Sequence, residues 1–264
     1  DWVICVSAYW DELSEQAAEA SLATLKEDIA AFAAKSTVEV DGESRPMYPQ
    51  IRYVDETGKE ALTYRDGAFA EDLRDHSGSA WHRQAAAVEA GGVHNGGVVI
   101  GRASGQPEMR VAAPVVYGGK RHGTLVLNLD WSLAWALLKD RVYGETGYPY
   151  IVSDEGVLVS HPKYTFKDHE SLLTSKYGPL ADFTRDNMMN GESGCGTYTL
   201  DGEEKFTAFR PLKLGERTYA IAGTSPVSEF MAMADAIRDR SESKSASVTW
   251  VLIVINAIVF IYEL

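Results

Sequence analysis

Cysteine, histidine and proline are scarce in this chain of 264 residues, with 2, 6 and 9 copies. Cys5 and Cys195 lie far apart in unlike contexts. They read as unpaired, which leaves the redox compartment open, and Cys195, set between two glycines, reads as a small buried residue. The histidines are scattered without metal-ligand spacing, and there is no His-Glu-x-x-His motif. Positive charge is short as well: 25 Lys and Arg stand against 38 Asp and Glu, a net charge of −13. Nucleic-acid binding, which calls for a basic stripe, is thereby disfavoured. No P-loop or dinucleotide fingerprint occurs, and Gly191-Glu192-Ser193-Gly194-Cys195 lacks the final glycine of a nucleophile elbow. The many carboxylates are what a solvated acidic surface provides. No catalytic residue, metal ligand or cofactor is assigned.

What the chain does have is paired β-rich runs. Met109–Tyr117 and Gly123–Asp130 are apolar and β-branched and flank Gly118-Gly119, a hairpin signal. Pro114 cannot donate to a ladder, so it belongs at a strand edge or bulge. Phe206–Thr224 echoes this hairpin, and turns at Asp55-Glu56-Thr57-Gly58 and Ser153-Asp154-Glu155-Gly156 precede the two. Gly58 to Pro114 is about 56 positions and Gly156 to Pro211 about 55, so one internal spacing recurs and argues for two similar α+β modules in tandem.

Around these modules the pattern is helical or apolar. From Asp11 to Ser36, Leu22, Leu25, Ile29 and Phe32 recur at helical spacing, a stripe suited to packing on its own domain or to a dimer contact. Ser36 to Arg45 reads as a loop, Pro49–Val54 and Ala61–Arg65 as strands, and Asp66 to Gly78 as a surface connection. Ser79 is placed to cap a helix over Ala80–Ala90, ahead of a strand at Val98–Ala103. Asp130 is placed to cap a joining helix that starts at Trp131. Strands are expected at Tyr148–Ser153, Val157–Ser160, Gly196–Leu200, Lys205–Arg210 and Arg217–Gly223, with helical or loop material over 168–190. A last helix follows Ser225-Pro226 toward Lys244. Ala246–Tyr262 is apolar apart from Asn256 and reads as a membrane span cut short, while Trp2–Trp10 has the tryptophan-flanked character of a membrane interface. With no Met at position 1, an earlier segment, itself a candidate span, is expected.

This order resembles the double Cache, or tandem PAS-like, extracytoplasmic sensor domain of bacterial and archaeal transmembrane receptors. The resemblance rests on RVAAPV and GTLVLNLD within Met109–Asp130, on YIVSDEGVLVSHP at Tyr150–Pro162 and on GCGTYTLDGEEKFTAFRP at Gly194–Pro211. It implies an α+β fold with a long N-terminal helix over 1–36, a membrane-distal PAS-like module over 37–141 and a membrane-proximal one over 142–224. An output helix over 225–245 then enters the membrane segment at 246–264. It also implies a periplasmic or extracellular setting at the cell inner membrane, a small-molecule ligand, a homodimer through the N-terminal helix and no enzymatic activity in this region. The output would lie in a histidine kinase, chemoreceptor or cyclic-dinucleotide enzyme. Alternatives are docking of a periplasmic binding protein on the distal module and a membrane-anchored enzyme.

The candidate ligand-binding residues are Trp81, His82 and Arg83 on the covering helix and Arg102, Arg110 and Asn128 on strands. Alternation puts Arg110, Ala112 and Pro114 on one face of their strand, and Thr124, Val126 and Asn128 on one face of theirs, without saying which face lines a pocket. Amino-acid-binding members of the resembled family carry an aspartate where Asn128 stands, and an Arg-x-Trp-Tyr pattern that Trp81-His82-Arg83 lacks. Arginines at such a site suit a carboxylate, so a small organic acid is the expected ligand. In the second module His161, Tyr164, Tyr198 and Arg210 read as structural.

Overall fold

The computed structural model describes residues 15–102, 104–117 and 119–242. Trp2–Trp10 and the apolar run Ala246–Tyr262 lie outside the described residues. Among those described, no helix is long and apolar enough to cross a membrane. The chain forms two compact units that divide between Leu137 and Leu138, with Leu214–Arg217 grouped with the first.

The first unit opens with α1 (Glu15–Lys35), followed by a small hairpin of β1 (Thr37–Val40) and β2 (Glu43–Pro46). Its main sheet holds β3 (Gln50–Asp55), β4 (Glu60–Arg65), β5 (Ala68–Phe69), β6 (His94–Ile100), β7 (Pro107–Tyr117) and β8 (Lys120–Asp130). They are antiparallel in the order β5-β4-β3-β8-β7-β6, and α2 (Ala80–Ala86) lies between β5 and β6 in the chain. The β1–β2 hairpin replaces the loop expected at 36–45. Asp41 and Gly42 both have positive φ, 54° and 79°, the geometry of a type I′ turn, and Asp-Gly is its strongest short signal. The same dipeptide at Asp66-Gly67 makes β4–β5 a hairpin where a surface connection was expected.

Register settles which faces are shared. Arg110 pairs with Asn128, Ala112 with Val126 and Pro114 with Thr124, so both alternating sets lie on one face of the sheet. That face carries Arg52 and Val54 of β3 and packs on α2, with Val54, Ala85, Ala112 and Val126 buried together. The opposite face presents Ile51, Tyr53, Leu62 and Val115 to Leu25 and Ile29 of α1. The helical stripe thus packs on its own domain. Pro114 lies past the last β6 pair, His94 with Ala112, and next to a register shift at Val115/Val116, which suits a residue without an N–H.

The β3–β4 turn is held by Asp55, whose Oδ1 accepts from the backbone N–H groups of Thr57 (2.8 Å) and Lys59 (3.0 Å). Gly58 sits there at φ +93°, where a Cβ would come 2.6 Å from Ser77 Cα and 2.7 Å from Ser77 N. Both contacts are backbone and cannot turn aside. Gly58→Ala is therefore expected to cost about 2–3 kcal/mol in denaturant unfolding, whereas Gly42→Ala, with no atom within 4 Å, should cost about 1 kcal/mol.

α3 (Ser132–Leu138), all but its last residue in the first unit, starts where Asp130 Oδ1 accepts from the Ser132 N–H at 2.9 Å, the expected cap, and the second unit follows. Its sheet comprises β9 (Tyr148–Val152), β10 (Leu158–Ser160), β11 (Gly194–Leu200), β12 (Glu203–Leu214) and β13 (Arg217–Pro226), in the order β10-β9-β13-β12-β11. Numbered from the first strand of each turn-linked pair, both sheets read 2-1-5-4-3, with β5 added at one edge of the first. The sequence repeat is therefore a repeat of topology. Over 168–190 the chain forms 3-10 turns and α4 (Pro179–Asp186). Cys195 is exposed, not buried as expected. It lies on the edge strand β11, where Gly194 and Gly196 face the rings of Phe209 and Phe183 and the intervening side chain turns outward.

α5 (Val227–Glu242) leaves β13 directly. Phe230 in its first turn stacks on Phe206 with ring centroids 4.4 Å apart. Glu229 accepts from the N–H groups of Glu145 (2.8 Å) and Thr146 (2.9 Å) and from the Thr146 hydroxyl (2.7 Å). These bonds, led by that of the Thr146 hydroxyl, hold the Glu229 carboxyl below its ordinary range. The base of α5 is thus fastened to the loop ahead of β9.

Candidate functional site

The face of the first sheet that packs on α2 carries a chain of buried polar groups. Arg52 projects from β3 with 4% exposure, and its Nη2 donates to Asn128 Oδ1 at 2.8 Å. Its Nη1 lies 3.6 Å from Glu60 Oε1. Asn128 passes the chain on, Nδ2 donating to Glu108 Oε2 at 2.6 Å, while the Ser104 hydroxyl bonds the other oxygen of Glu108. Glu60 is saturated by His76 Nε2 (2.7 Å), the Thr63 hydroxyl (2.8 Å) and the Arg74 N–H (3.0 Å).

Trp81 of α2 lies against this chain. Its ring is 5.3 Å from the guanidinium carbon of Arg52 and 5.1 Å from that of Arg110, both within cation–π range. His76 meets its edge at 5.0 Å between centroids. The position of α2 is set from the sheet side: Arg121 donates to the carbonyls of Ala85, Ala86 and Val88 at the end of the helix and to the Thr124 hydroxyl. Ser79 occupies the N-cap position but makes no capping bond, its hydroxyl donating to the His76 carbonyl instead.

The electrostatics follow from burial. Loss of water lowers Arg52 to about 10, the Arg110 charge adds to the effect, and Glu60 and Glu108 oppose it. Arg110 is lowered too, by burial first. Burial raises Glu60, but bonds from His76, Thr63 and the Arg74 N–H, with the Arg52 charge, outweigh it and hold the carboxyl below 4.5. A carboxyl with a depressed folded value adds stability that is complete above its unfolded value and is lost as pH falls through the folded one. Unfolding free energy should therefore drop more steeply below pH 4.5 in the native protein than in Glu60→Gln, measured by urea titration at a series of pH values.

Two donors are left over. Among the described residues, the buried Nε atoms of Arg52 and Arg110 have no hydrogen-bond partner. Buried donors are almost always paired, so two such N–H groups beside one indole mark a place for an acceptor.

Of the residues singled out from sequence, Trp81, Arg110 and Asn128 come together here. His82 is buried beside the Gly58 turn, its pKa lowered by burial and then by the charges of His76 and Arg121. Arg83 is exposed and donates to the Gly78 carbonyl at 2.9 Å. Arg102 is exposed in the β6–β7 loop, where its charge acts on Arg110. Arg52, Glu60, His76 and Glu108 were not anticipated. Glu108 could have been, since it stands two residues before Arg110 on one strand and must share its face.

Residues 2–234 match the Cache domain family, and the chain belongs to that family. No curated protein matches it. Among solved structures, it is similar to the extracellular domain of the putative histidine kinase mmHK1S-Z2, with a TM-score of 0.65, 14% identity, and coverage of 87% of this chain and 88% of that one. The extracellular domain of the putative histidine kinase vpHK1S-Z8 gives a TM-score of 0.62 and 18% identity over 81% of this chain and 80% of that one. The ligand-binding domain of the Pseudomonas fluorescens chemoreceptor CtaA, in complex with L-serine, gives 0.52 and 20% identity over 69% and 74%. At these identities the likeness is one of fold.

Proposed function

We propose that this chain is the ligand-sensing region of a transmembrane receptor, that its first module binds a small organic carboxylate, and that α5 carries the signal. The observation that supports the ligand class is the pair of buried guanidinium N–H groups without acceptors beside Trp81. A carboxylate oxygen satisfies such a donor, and the planar guanidinium fork matches both oxygens at once. The site argues against an α-amino acid: Asn128 is neutral and already spends both ends of its amide on Arg52 and Glu108, so no free carboxylate stands there to receive an ammonium. The proposed setting, with the modules outside the inner membrane, rests on family membership and on the apolar run Ala246–Tyr262.

A ligand shifts a receptor only by its difference in affinity for two states. The bonds of Glu229 and the stacking of Phe230 give α5 a firm attachment through which such a shift in the second module would travel. A thermal-shift screen of the full chain against acetate, lactate, pyruvate, succinate and malate, with amino acids and amines alongside, tests the ligand class. An acid at 100 times its Kd should add about 2.7 kcal/mol of stability. That gain should vanish in Arg110→Ala and persist in Arg210→Ala. Stabilisation by amines alone would overturn the reading.

A further inference from the structure

The second unit holds a cavity of about 530 Å3, a size typical of small-molecule sites. It is built from residues unrelated to the Arg52–Asn128 chain. His161, which follows β10, stands among three of the tyrosines that line it, with ring centroids 5.1 Å from Tyr148, 6.2 Å from Tyr150 and 5.2 Å from Tyr164. Tyr198 lines another part of the wall, its hydroxyl bonded to the Thr224 hydroxyl at 3.0 Å. A cavity walled by so many aromatic faces favours a flat, polarisable occupant.

The polar groups narrow the class. His161 Nδ1 accepts from the Lys163 N–H at 3.0 Å. Burial, then the Lys163 charge, lowers the imidazole to about 4, so near neutral pH it is uncharged and carries its one proton on Nε2. It is a donor without a charge. Three lysines line the cavity, Lys163, Lys176 and Lys205, against two acids, Asp201 and Glu203. Lys205 pairs with Glu203 at 2.8 Å and Lys176 with Glu170 at 2.6 Å. With these pairs set aside the lining keeps one ammonium, Lys163, and one carboxylate, Asp201; the Lys163 charge acts on His161, so the His161 end of the cavity is the one suited to an anion.

We propose that the second module is a ligand site in its own right, taking a flat aromatic or heteroaromatic ring that bears a carboxylate. The ring lies among the tyrosines, and Lys163 with the His161 N–H answers the charge. This site is independent of the carboxylate site in the first module, and its test must be local because an aromatic acid could enter both.

The test follows the His161 imidazole by NMR in the full chain labelled with 15N-histidine, the signal being assigned by its loss in His161→Gln. Benzoate and 4-hydroxybenzoate should move that signal saturably, while butyrate and benzyltrimethylammonium should leave it in place. Lys163→Gln, a change at an exposed position, should weaken benzoate at least fivefold with the fold intact. The proposal is overturned if neither aromatic acid moves the signal, if the quaternary ammonium moves it as far, or if Lys163→Gln leaves the benzoate Kd unchanged. Because the readout sits in the second module, none of these results depends on whether the first module binds an acid.

Discussion

Arg52→Met should destabilise the first unit by about 3–5 kcal/mol, the range for removing one member of a buried ion pair. Arg52 is 4% exposed, and methionine fills much of the same volume, so the loss comes from stranded partners more than from a cavity. Asn128 Oδ1 loses the donor held at 2.8 Å, and Glu60 loses a cation 3.6 Å away. Glu60 keeps His76, Thr63 and the Arg74 N–H, which sets the expectation toward the lower end of the range. Arg52→Lys should recover only part of the loss, because the native contacts to Asn128 and Glu60 are made from two nitrogens of a planar fork, a spacing that the single nitrogen of an ammonium does not reproduce. Urea unfolding followed by circular dichroism measures both variants. A change under about 1 kcal/mol in Arg52→Met would mean that the polar chain is not a structural unit.

Trp81→Ala is the second large effect, expected at about 3 kcal/mol. Aromatic-to-alanine changes in full cores cost about 3–5 kcal/mol, and Trp81 is only partly buried, which lowers the packing share. Against this, two guanidiniums lose the ring that lies 5.3 and 5.1 Å from them, each contact being worth roughly 0.5–2 kcal/mol. The indole also stands between α2 and two cations that repel one another, since the Arg110 charge lowers Arg52. Trp81→Phe keeps a ring face with a weaker quadrupole and should lose about half as much. The same urea experiment reads both, and equal losses in the two variants would show that the indole acts through its shape alone.

Much of the architecture was legible because hairpins announce themselves locally. The Gly58 and Gly156 turns, the Pro114 position and the α1 stripe each depend on residues within one or two turns of chain. The β1–β2 hairpin was missed although Asp41-Gly42 marked it, because Glu43-Ser44-Arg45-Pro46 has none of the β-branched character of a strand. The site was half legible. Trp81, Arg110 and Asn128 stand out by residue type, but alternation within one strand cannot tell which face two strands share. The register that pairs Arg110 with Asn128 supplies this. Arg52 hid in an apolar run, Gln50-Ile51-Arg52-Tyr53-Val54, where a lone charge reads equally well as a solvated edge residue. Glu60 and His76 are brought together by the bridge between Lys59 and Asp75, a long-range pairing with no local signal. The second-module cavity escaped for the same reason: Tyr148, His161 and Tyr198 come from three separate stretches, His161 and Tyr198 were read one by one as structural, and Tyr148 stood only as the start of a strand.

The central claim is that the first module recognises a carboxylate through Arg110. Isothermal titration of the full chain with the organic acid that gives the largest thermal shift, repeated on Arg110→Ala and on Arg83→Ala, tests it most directly. Loss of a charge-assisted bond to a carboxylate costs about 1.5–3 kcal/mol, so the account predicts binding at least tenfold weaker in Arg110→Ala. In Arg83→Ala, which removes an exposed arginine that donates to the Gly78 carbonyl, the affinity should be unchanged. Equal affinity in all three proteins would contradict the account.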